Sequence, residues 1–422
     1  MVLHGIVSSR KKTYPVLADD LMQMVLGICR DLGWMQRSMV FQNSALKMIR
    51  SVEKETLAVE KVGLSLLQRL PSDAFAEFFQ GITGKSPVYL PGTTPSYSNA
   101  GFQILAYALE GITGKKYQEI LNKSILKPLH MNQTSLATPP DSNIGVILGD
   151  TNSTGWAINY GEDPAISMYS NLRDLAVAGT SIISSSLLSS SSTRRWLKPI
   201  SATSNRANTQ GRPWEIYNAV LYKNAPVTEV YTVIGNIGHY SSYIGLVPNY
   251  GVGFVMLAAD SEGSADLNAY VDFIFAAMTP ALEKAAVVQA NASYSGMYTS
   301  SNGTRMKIEV DGKPGLVVTE LTNNGADVRA GIAKLKGIEL DALIFRLYPS
   351  NVQSGSRMEF RAIWQDNNDL ADGGTPTCVS WMDIEDLVYG GESLDRYVFE
   401  LDESGSAKSV EIPALRAALG KN

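Results

Sequence analysis

The stretch TTPSYSNAGFQILAYALEGITGKKYQEILNKSILKPLHMNQT, residues 93–134, decides how the first half of the chain is interpreted. It follows the turn signal Pro91-Gly92. Residues 101–109 have the pattern of a buried helix, which Gly111 and Gly114 are expected to close. Residues 117–126 predict a second helix that stops before Pro128. The stretch therefore predicts two short helices behind an irregular turn.

Two polar residues, Tyr97 and Asn99, lie at the mouth of the first of these helices. A phenol with an ordinary pKa of about 10 stays protonated at neutral pH, so it acts as a general base only where a cation lowers that pKa. An asparagine two residues later has an amide that can bind a substrate carbonyl or a lysine amine. The same pair is also explained by packing, with Asn99 as a helix cap and Tyr97 as a packed ring.

Composition limits what the chain can be. Its 422 residues exceed one ordinary core and predict two domains, and 45% hydrophobic with 18% charged residues predict a globular protein. A net charge of -5 and no basic run longer than residues 10–12 argue against a nucleic-acid partner. The two cysteines, Cys29 and Cys378, imply no disulfide framework.

The remaining motifs argue against metals and membranes. The three histidines are not arranged with HxxxH spacing and the chain has no CxxC, so we expect no zinc site and no cofactor. No apolar run approaches the roughly 20 residues that a membrane-spanning helix requires.

The amino terminus lacks an apolar stretch long enough for a signal peptide. The chain nevertheless has five N-x-S/T sequons, at Asn122, Asn132, Asn152, Asn291 and Asn302. These sequons are explained either by chance in a Ser/Thr/Asn-rich chain or by secretory ancestry with the export signal missing. The localisation of the chain is therefore left open.

Hydrophobic patterning predicts further elements. Residues 229–238, 239–248 and 251–260 are rich in Val, Ile and Tyr and predict strands, the last two joined in a hairpin. A helix over about 265–289 is expected to be interrupted or kinked at Pro280. After residue 291, alternating apolar and polar residues between glycine turns predict an all-β module of about eight strands, a barrel or a sandwich. We therefore expect domains at 1–290 and 291–422.

The string PGTTPSYSNAGFQILAYALEGITGKKYQEILNKSILKPLHMNQTSL resembles the serine β-lactamase and penicillin-binding-protein-like family, and looks most like its class C branch. That branch includes esterases, D-amino-acid peptidases and fungal acyltransferases. The resemblance continues in GNIGHYSSYIGLVPNYGVGFVMLAAD and covers roughly residues 90–290, and the tail resembles the carboxy-terminal module of fungal, usually secreted, β-lactamase-like proteins. It implies an α/β (α+β) domain with an antiparallel sheet flanked by helices, followed by an all-β domain.

The resemblance also implies a site of three elements. A Ser-x-x-Lys supplies a nucleophile and an activating amine, a Tyr-x-Asn moves the proton, and a Lys/His-x-Gly on an inner strand binds the polar end of the substrate. Tyr97 and Asn99 match the second element. The third aligns with residues 233–235, where Gly235 is kept and Val233 replaces the cation. His239, four residues later, is either a substrate-binding group or a packed side chain.

The first element is the least well matched. Ser44 and Lys47 have the required spacing, which would place hydroxyl and amine on one face of a helix. However, LMQMVLGICRDLG, from Leu21, resembles a family segment that follows the nucleophile helix. Either Ser44 is the nucleophile, or the true one is expected before Met1.

Three hypotheses follow. The first is a serine hydrolase or acyltransferase that acts on a small ester, amide or lactam through an acyl-enzyme, with the strand near Gly235 facing the oxyanion. The second is a catalytically silent relative that keeps the cleft as a binding surface. The third is a truncated gene product. The oligomeric state is left open by all three.

Overall fold

The structure is a computed structural model that describes residues 72–86, 88–90, 92–136, 145–146, 148, 156, 163–220, 227–368 and 383–422. Ser44, Lys47 and the segment from Leu21 lie outside these described residues. The chain divides into two compact units, Met1–Ile274 and Phe275–Asn422.

The first unit combines short helices with an antiparallel sheet. Its described helices are α1 (Ser72–Thr83), α2 (Asn99–Thr113), α3 (Tyr117–Leu121), α4 (Asp163–Ile166), α5 (Leu172–Ile183) and α6 (Ser190–Trp196). Its strands are β1 (Ser135–Leu136), β2 (Met168–Tyr169), β3 (Ser201–Ala202), β4 (Asn208–Gln210), β5 (Glu215–Ala219), β6 (Thr228–Ile237), β7 (Tyr240–Val247) and β8 (Val252–Ala259).

The predicted pair of helices after the turn is confirmed. α2 starts at Asn99, two residues before the predicted start, and ends at Gly114, which adopts φ 66° and donates its N–H to the Glu110 carbonyl. α3 is followed by a π-helical turn, Asn122–Leu126, which sequence patterning did not predict. The pair thus ends before Pro128, as expected.

Strands β3 to β8 form one antiparallel sheet in sequence order. β7 and β8 form the predicted hairpin, and Gly251 takes φ 66° at its turn, a conformation that glycine adopts without a steric penalty. α5 packs on this hairpin, and a Cβ at Gly179 would lie 3.1 Å from Leu246 Cδ2. A buried cluster of Leu197, Trp214, Ile216, Tyr231 and Leu246 joins the sheet to the helical layer.

The long helix α7 (Asn268–Tyr294) contains Pro280 without a break, so the predicted interruption does not occur. A proline in a helix removes its own N–H bond, here the one to the Ala276 carbonyl, at a cost of about 3 kcal/mol. Neighbouring groups remain paired: Thr279 Oγ1 donates to the Phe275 carbonyl at 3.0 Å. The helix therefore continues past the proline.

Among its described residues, the rest of the second unit is all-β apart from one α-helix, α8 (Val328–Lys336). Its strands are β9 (Gly296–Thr299), β10 (Arg305–Glu309), β11 (Leu316–Asn323), β12 (Ala326–Asp327), β13 (Leu343–Ser354), β14 (Arg357–Asp366), β15 (Val388–Tyr389), β16 (Glu392–Ser393), β17 (Arg396–Leu401), β18 (Ala407–Ile412) and β19 (Ala417–Lys421). Eight of these, β9, β10, β11, β13, β14, β17, β18 and β19, close into an antiparallel barrel because β9 pairs with both β10 and β19.

Large side chains fill the barrel interior. Tyr298, Phe345, Tyr397 and Phe399 are each at most 1% exposed and belong to one buried cluster. Their rings meet edge to face, as Phe345 does with Tyr397 at a centroid distance of 6.1 Å. The predicted α/β domain and the all-β domain are both confirmed, and the second is a barrel. Within the described ranges, the helices are too short or too polar to cross a membrane.

Candidate active site

The turn before α2 presents Tyr97 to solvent and leaves Asn99 half-buried, with its Oδ1 atom buried. Ser98 is the helix cap: its backbone is extended, and its Oγ accepts the N–H of Gly101 at 3.1 Å. The alternative that Asn99 caps this helix is therefore wrong, because Asn99 already lies inside the first turn. Tyr97 is 69% exposed, and its ring lies 6.1 Å from that of Phe102. Most of the Tyr97 side chain is thus accessible.

Buried amide oxygens follow Tyr97 along α2. Asn99 Oδ1 and, one turn later, Gln103 Oε1 are buried without a hydrogen-bond partner among the described residues. The amide of Gln103 also contacts Tyr107, whose pKa is raised mainly by burial. A buried carbonyl oxygen without a donor costs about 1–3 kcal/mol. Asn99 is therefore suited to accept a hydrogen bond from a group that joins this site.

A cavity of about 470 Å³ opens in front of Tyr97. One wall consists of residues 93–98 with Gly101, Phe102 and Leu105. The opposite wall consists of residues 201–204 with Gln210, Gly211, Pro213 and Glu215. This volume is in the range of small-molecule sites, and the hydroxyl-rich lining offers both donors and acceptors.

The cavity lining carries a single formal charge. Of the described residues that line it, Glu215 alone is ionisable near neutral pH by its side-chain type, and none is Lys, Arg or His. Glu215 begins β5 and pairs with Thr232 on β6, whose Oγ1 donates to the Glu215 carbonyl at 2.7 Å. The sequence analysis did not predict this wall. The sequence feature that could have indicated it is Trp214 next to Pro213, and Trp214 is buried in the structure.

Gly235 lies on β6 opposite Ser242 of β7. Ser242 Oγ donates to the Gly235 carbonyl at 3.3 Å. Val233, two residues earlier, is 38% exposed on the same strand. The position where the resemblance expects a cation therefore presents an apolar side chain to solvent.

His239 occupies the turn between β6 and β7. Its Nδ1 donates to the Asp260 carbonyl at 2.6 Å, and the Asp260 N–H donates to the His239 carbonyl at 3.0 Å. Neither Gly235 nor His239 is among the described residues that line the cavity. The structure thus places Tyr97 in the cavity wall, Asn99 two residues later in the first turn of α2 outside the described lining, and His239 beside the end of β8.

The proposed nucleophile pair cannot be placed relative to this cavity, because Ser44 and Lys47 lie outside the described residues. In the part of the chain that is described, no group of three His, Cys, Asp or Glu side chains is arranged to hold a metal ion.

Comparison with curated proteins gives fungal relatives. The chain is 29% identical over 382 residues to a beta-lactamase-like protein of Arthroderma benhamiae, a match that covers 81% of this chain and 63% of the relative. It is 25% identical over 373 residues to a probable hydrolase of a Phoma species, covering 83% of this chain and 61% of the relative. The chain thus spans less than two thirds of the length of these relatives.

Among solved structures, the octameric penicillin-binding protein homologue from Pyrococcus abyssi is similar with a TM-score of 0.38 and 16% identity. The similarity covers 96% of this chain and 87% of that one.

Two family models match the chain in succession. One, described as "Beta-lactamase-like-like, C-terminal domain", matches residues 286–422, which include the barrel strands. The other, described as "Beta-lactamase", matches residues 56–277, more than half of the chain, and includes the helices, the sheet and the Tyr97 cavity. With the Tyr-x-Asn turn and the antiparallel sheet in the places that the resemblance implied, the chain belongs to the beta-lactamase family.

Proposed function

We propose that this chain is a serine hydrolase or acyltransferase that cleaves a small ester, amide or lactam through an acyl-enzyme. The observation that carries the proposal is the position of Tyr97, 69% exposed on the wall of the cavity and two residues before an asparagine whose amide oxygen is buried without a partner. Hydrolase names among the fungal relatives support the same reaction class.

The proposed reaction has two steps. In the first, Tyr97 accepts the hydroxyl proton of the nucleophile while the serine oxygen bonds to the substrate carbonyl carbon, and the leaving group departs with that proton. In the second, water or another acceptor attacks the acyl group and restores the serine hydroxyl. Ser44, activated by Lys47, is the nucleophile that this sequence offers. Asn99 orients the amine or the substrate carbonyl by a hydrogen bond.

The strand around Gly235 is the place that we propose for the developing oxyanion, because it is the counterpart of the inner strand in the resemblance. His239 Nδ1 is bonded to Asp260, so only Nε2 of that ring is left for a substrate. We therefore assign to His239 a contact with the substrate, through Nε2, at the edge of the site.

A second candidate function is a binding scaffold without turnover. The exposure of Val233 in place of the expected cation favours it, since that cation would bind the polar end of a substrate. In this case the cavity binds a small molecule and no acyl-enzyme forms.

Labelling with a fluorescent fluorophosphonate tests the first candidate against the second. We expect labelling of the purified chain, its loss in Ser44→Ala, and a reduction of about 10²-fold or more in the labelling rate of Tyr97→Phe. Ser261→Ala and Tyr270→Phe, which change exposed residues away from the cavity lining, serve as matched controls and keep full labelling.

The other outcomes assign the site differently. Labelling that survives Ser44→Ala but disappears in Tyr97→Phe would show that the nucleophile is another residue and that Tyr97 belongs to the active site. A folded chain that the fluorophosphonate does not label would reject the enzyme and leave the scaffold function to be tested by ligand binding.

A further inference from the structure

The described lining of the cavity carries one carboxylate and no cation. A Lys/His-x-Gly strand places a cation beside the cleft, where it attracts a carboxylate. In this chain the aligned position is Val233, which is 38% exposed. Glu215, on the neighbouring strand, lies in the cavity wall.

Glu215 pairs directly with Thr232 of β6, so its side chain lies on the face of the sheet opposite to that of Val233, the next residue along β6. Val233 is not among the described residues that line the cavity, so the charge of the described wall is that of Glu215. The Glu215 side chain is exposed and forms no ion pair with another described residue. Of the described residues, Glu215 therefore supplies the only formal charge that a substrate meets in the cavity wall.

Arg212, the arginine nearest to Glu215 in the sequence, does not offset the negative charge of Glu215 at the cavity wall. Arg212 lies between Gly211 and Pro213, yet it is not among the described residues that line the cavity. Its carbonyl accepts the indole N–H of Trp196, which ties its backbone to α6. The remaining polar lining consists of neutral hydroxyl and amide groups, such as those of Thr203 and Gln210.

We infer that the cavity selects ligands whose non-reacting end carries an ammonium group, and that it disfavours those that end in a carboxylate. This inference rests on the proposed function only in one respect: the selected ligand is a substrate if the chain is an enzyme. A scaffold that binds without turnover would select ligands by charge in the same way. Glu215 is the specificity-determining residue.

The expected size of the effect is modest because Glu215 is exposed. An exposed ion pair changes affinity by about two- to fivefold, and salt screens it over a distance of about 10 Å at 0.1 M ionic strength. The charge preference should therefore be clearest in dilute buffer and should shrink as salt is added.

The test uses three amides that share one chain and differ at its far end, namely 6-aminohexanamide, hexanamide and adipic acid monoamide, and the same NMR spectra show whether any of them is cleaved. Their dissociation constants for the full chain are measured by ligand-observed NMR titration. We expect 6-aminohexanamide to bind about two- to fivefold more tightly than hexanamide and the acid to bind most weakly. Glu215→Gln should remove the advantage of the ammonium.

Glu262→Gln is the matched control, because Glu262 is exposed in the same unit and does not line the cavity, and it should leave the order of the three constants unchanged. Equal constants, a preference for the acid, no saturable binding of any of the amides, or an unaltered order in Glu215→Gln would each overturn the inference.

The p-nitrophenyl esters of the corresponding acids, assayed in parallel, separate this inference from the proposed function. Selective binding of the amides without release of p-nitrophenol would retain the charge selection and reject the enzyme. Hydrolysis of the esters without preference for the ammonium would do the reverse.

Discussion

Two glycines of the β6–β7 hairpin have different surroundings. A Cβ at Gly235 would lie 2.6 Å from Ser242 Oγ, a hydroxyl that can rotate away. A Cβ at Gly245 would lie 2.2 Å from two ring atoms of Phe254. That ring cannot retreat easily, because it stacks on Tyr243 with a centroid distance of 5.9 Å and an interplanar angle of 19°. β6 thus tolerates a side chain at Gly235, whereas β7 excludes one at Gly245.

We therefore expect Gly245→Ala to lower the free energy of unfolding by about 2–3 kcal/mol, and Gly235→Ala by less than about 1 kcal/mol. Urea denaturation of the full chain measures both. Adding Ser242→Ala to Gly235→Ala should recover most of the smaller loss, because it removes the only atom that the new methyl group meets within 4 Å. Equal losses for the two glycines would show that the hairpin relaxes freely around Phe254.

At the scale of single elements, the start of α2 positions the proposed active site. Ser98 satisfies the Gly101 N–H with its Oγ, and this cap fixes where the chain turns from Tyr97 into the helix. We expect Ser98→Ala to cost about 1 kcal/mol of stability and Ser98→Gly only a few tenths, since glycine leaves the backbone N–H open to water. Thermal unfolding of the two variants measures the difference. An equal loss in both would mean that the hydroxyl does not act as a cap.

The elements also show what patterning can predict. α2 and the β7–β8 hairpin follow from local spacing: apolar residues on one face of a helix, and a glycine turn between two β-rich runs. The cavity wall opposite Tyr97 does not follow from local spacing. β3 and β4 are short strands, Ser201–Ala202 and Asn208–Gln210, without the apolar alternation that reveals a strand. Their meeting with Tyr97 depends on contacts across about 100 residues of sequence, which periodicity does not report.

At the scale of the whole molecule, the second unit also has a feature that local sequence patterning cannot predict. Alternation of apolar and polar residues predicted about eight strands, but a barrel and a sandwich share that alternation. The difference lies in the pairing of β19 with β9, where Gly420 meets Thr299. This pairing closes the barrel between segments at opposite ends of the unit, so it could not be deduced from local spacing.

Ion pairs between barrel strands make the stability of this unit depend on pH. Arg396 binds both carboxylate oxygens of Glu359, at 2.7 and 3.2 Å, and this hydrogen bonding lowers the pKa of Glu359 below its ordinary value of 4.5. A carboxyl with a lowered folded pKa stabilises the fold above its unfolded pKa, and that contribution is lost as the pH falls through the folded pKa.

We therefore expect the free energy of unfolding of the full chain to fall between about pH 5 and about pH 3, and Glu359→Gln to remove up to about 1 kcal/mol of that fall. Urea denaturation at the two pH values gives the difference. Glu403→Gln, an exposed carboxyl in the same unit, is the matched control and should keep the wild-type pH dependence. If Glu359→Gln lost as much stability on acidification as the wild type, the Arg396 pair would contribute nothing to the folded barrel, and its pH sensitivity would have to come from other carboxyls such as Asp311, whose pKa is lowered by Arg346.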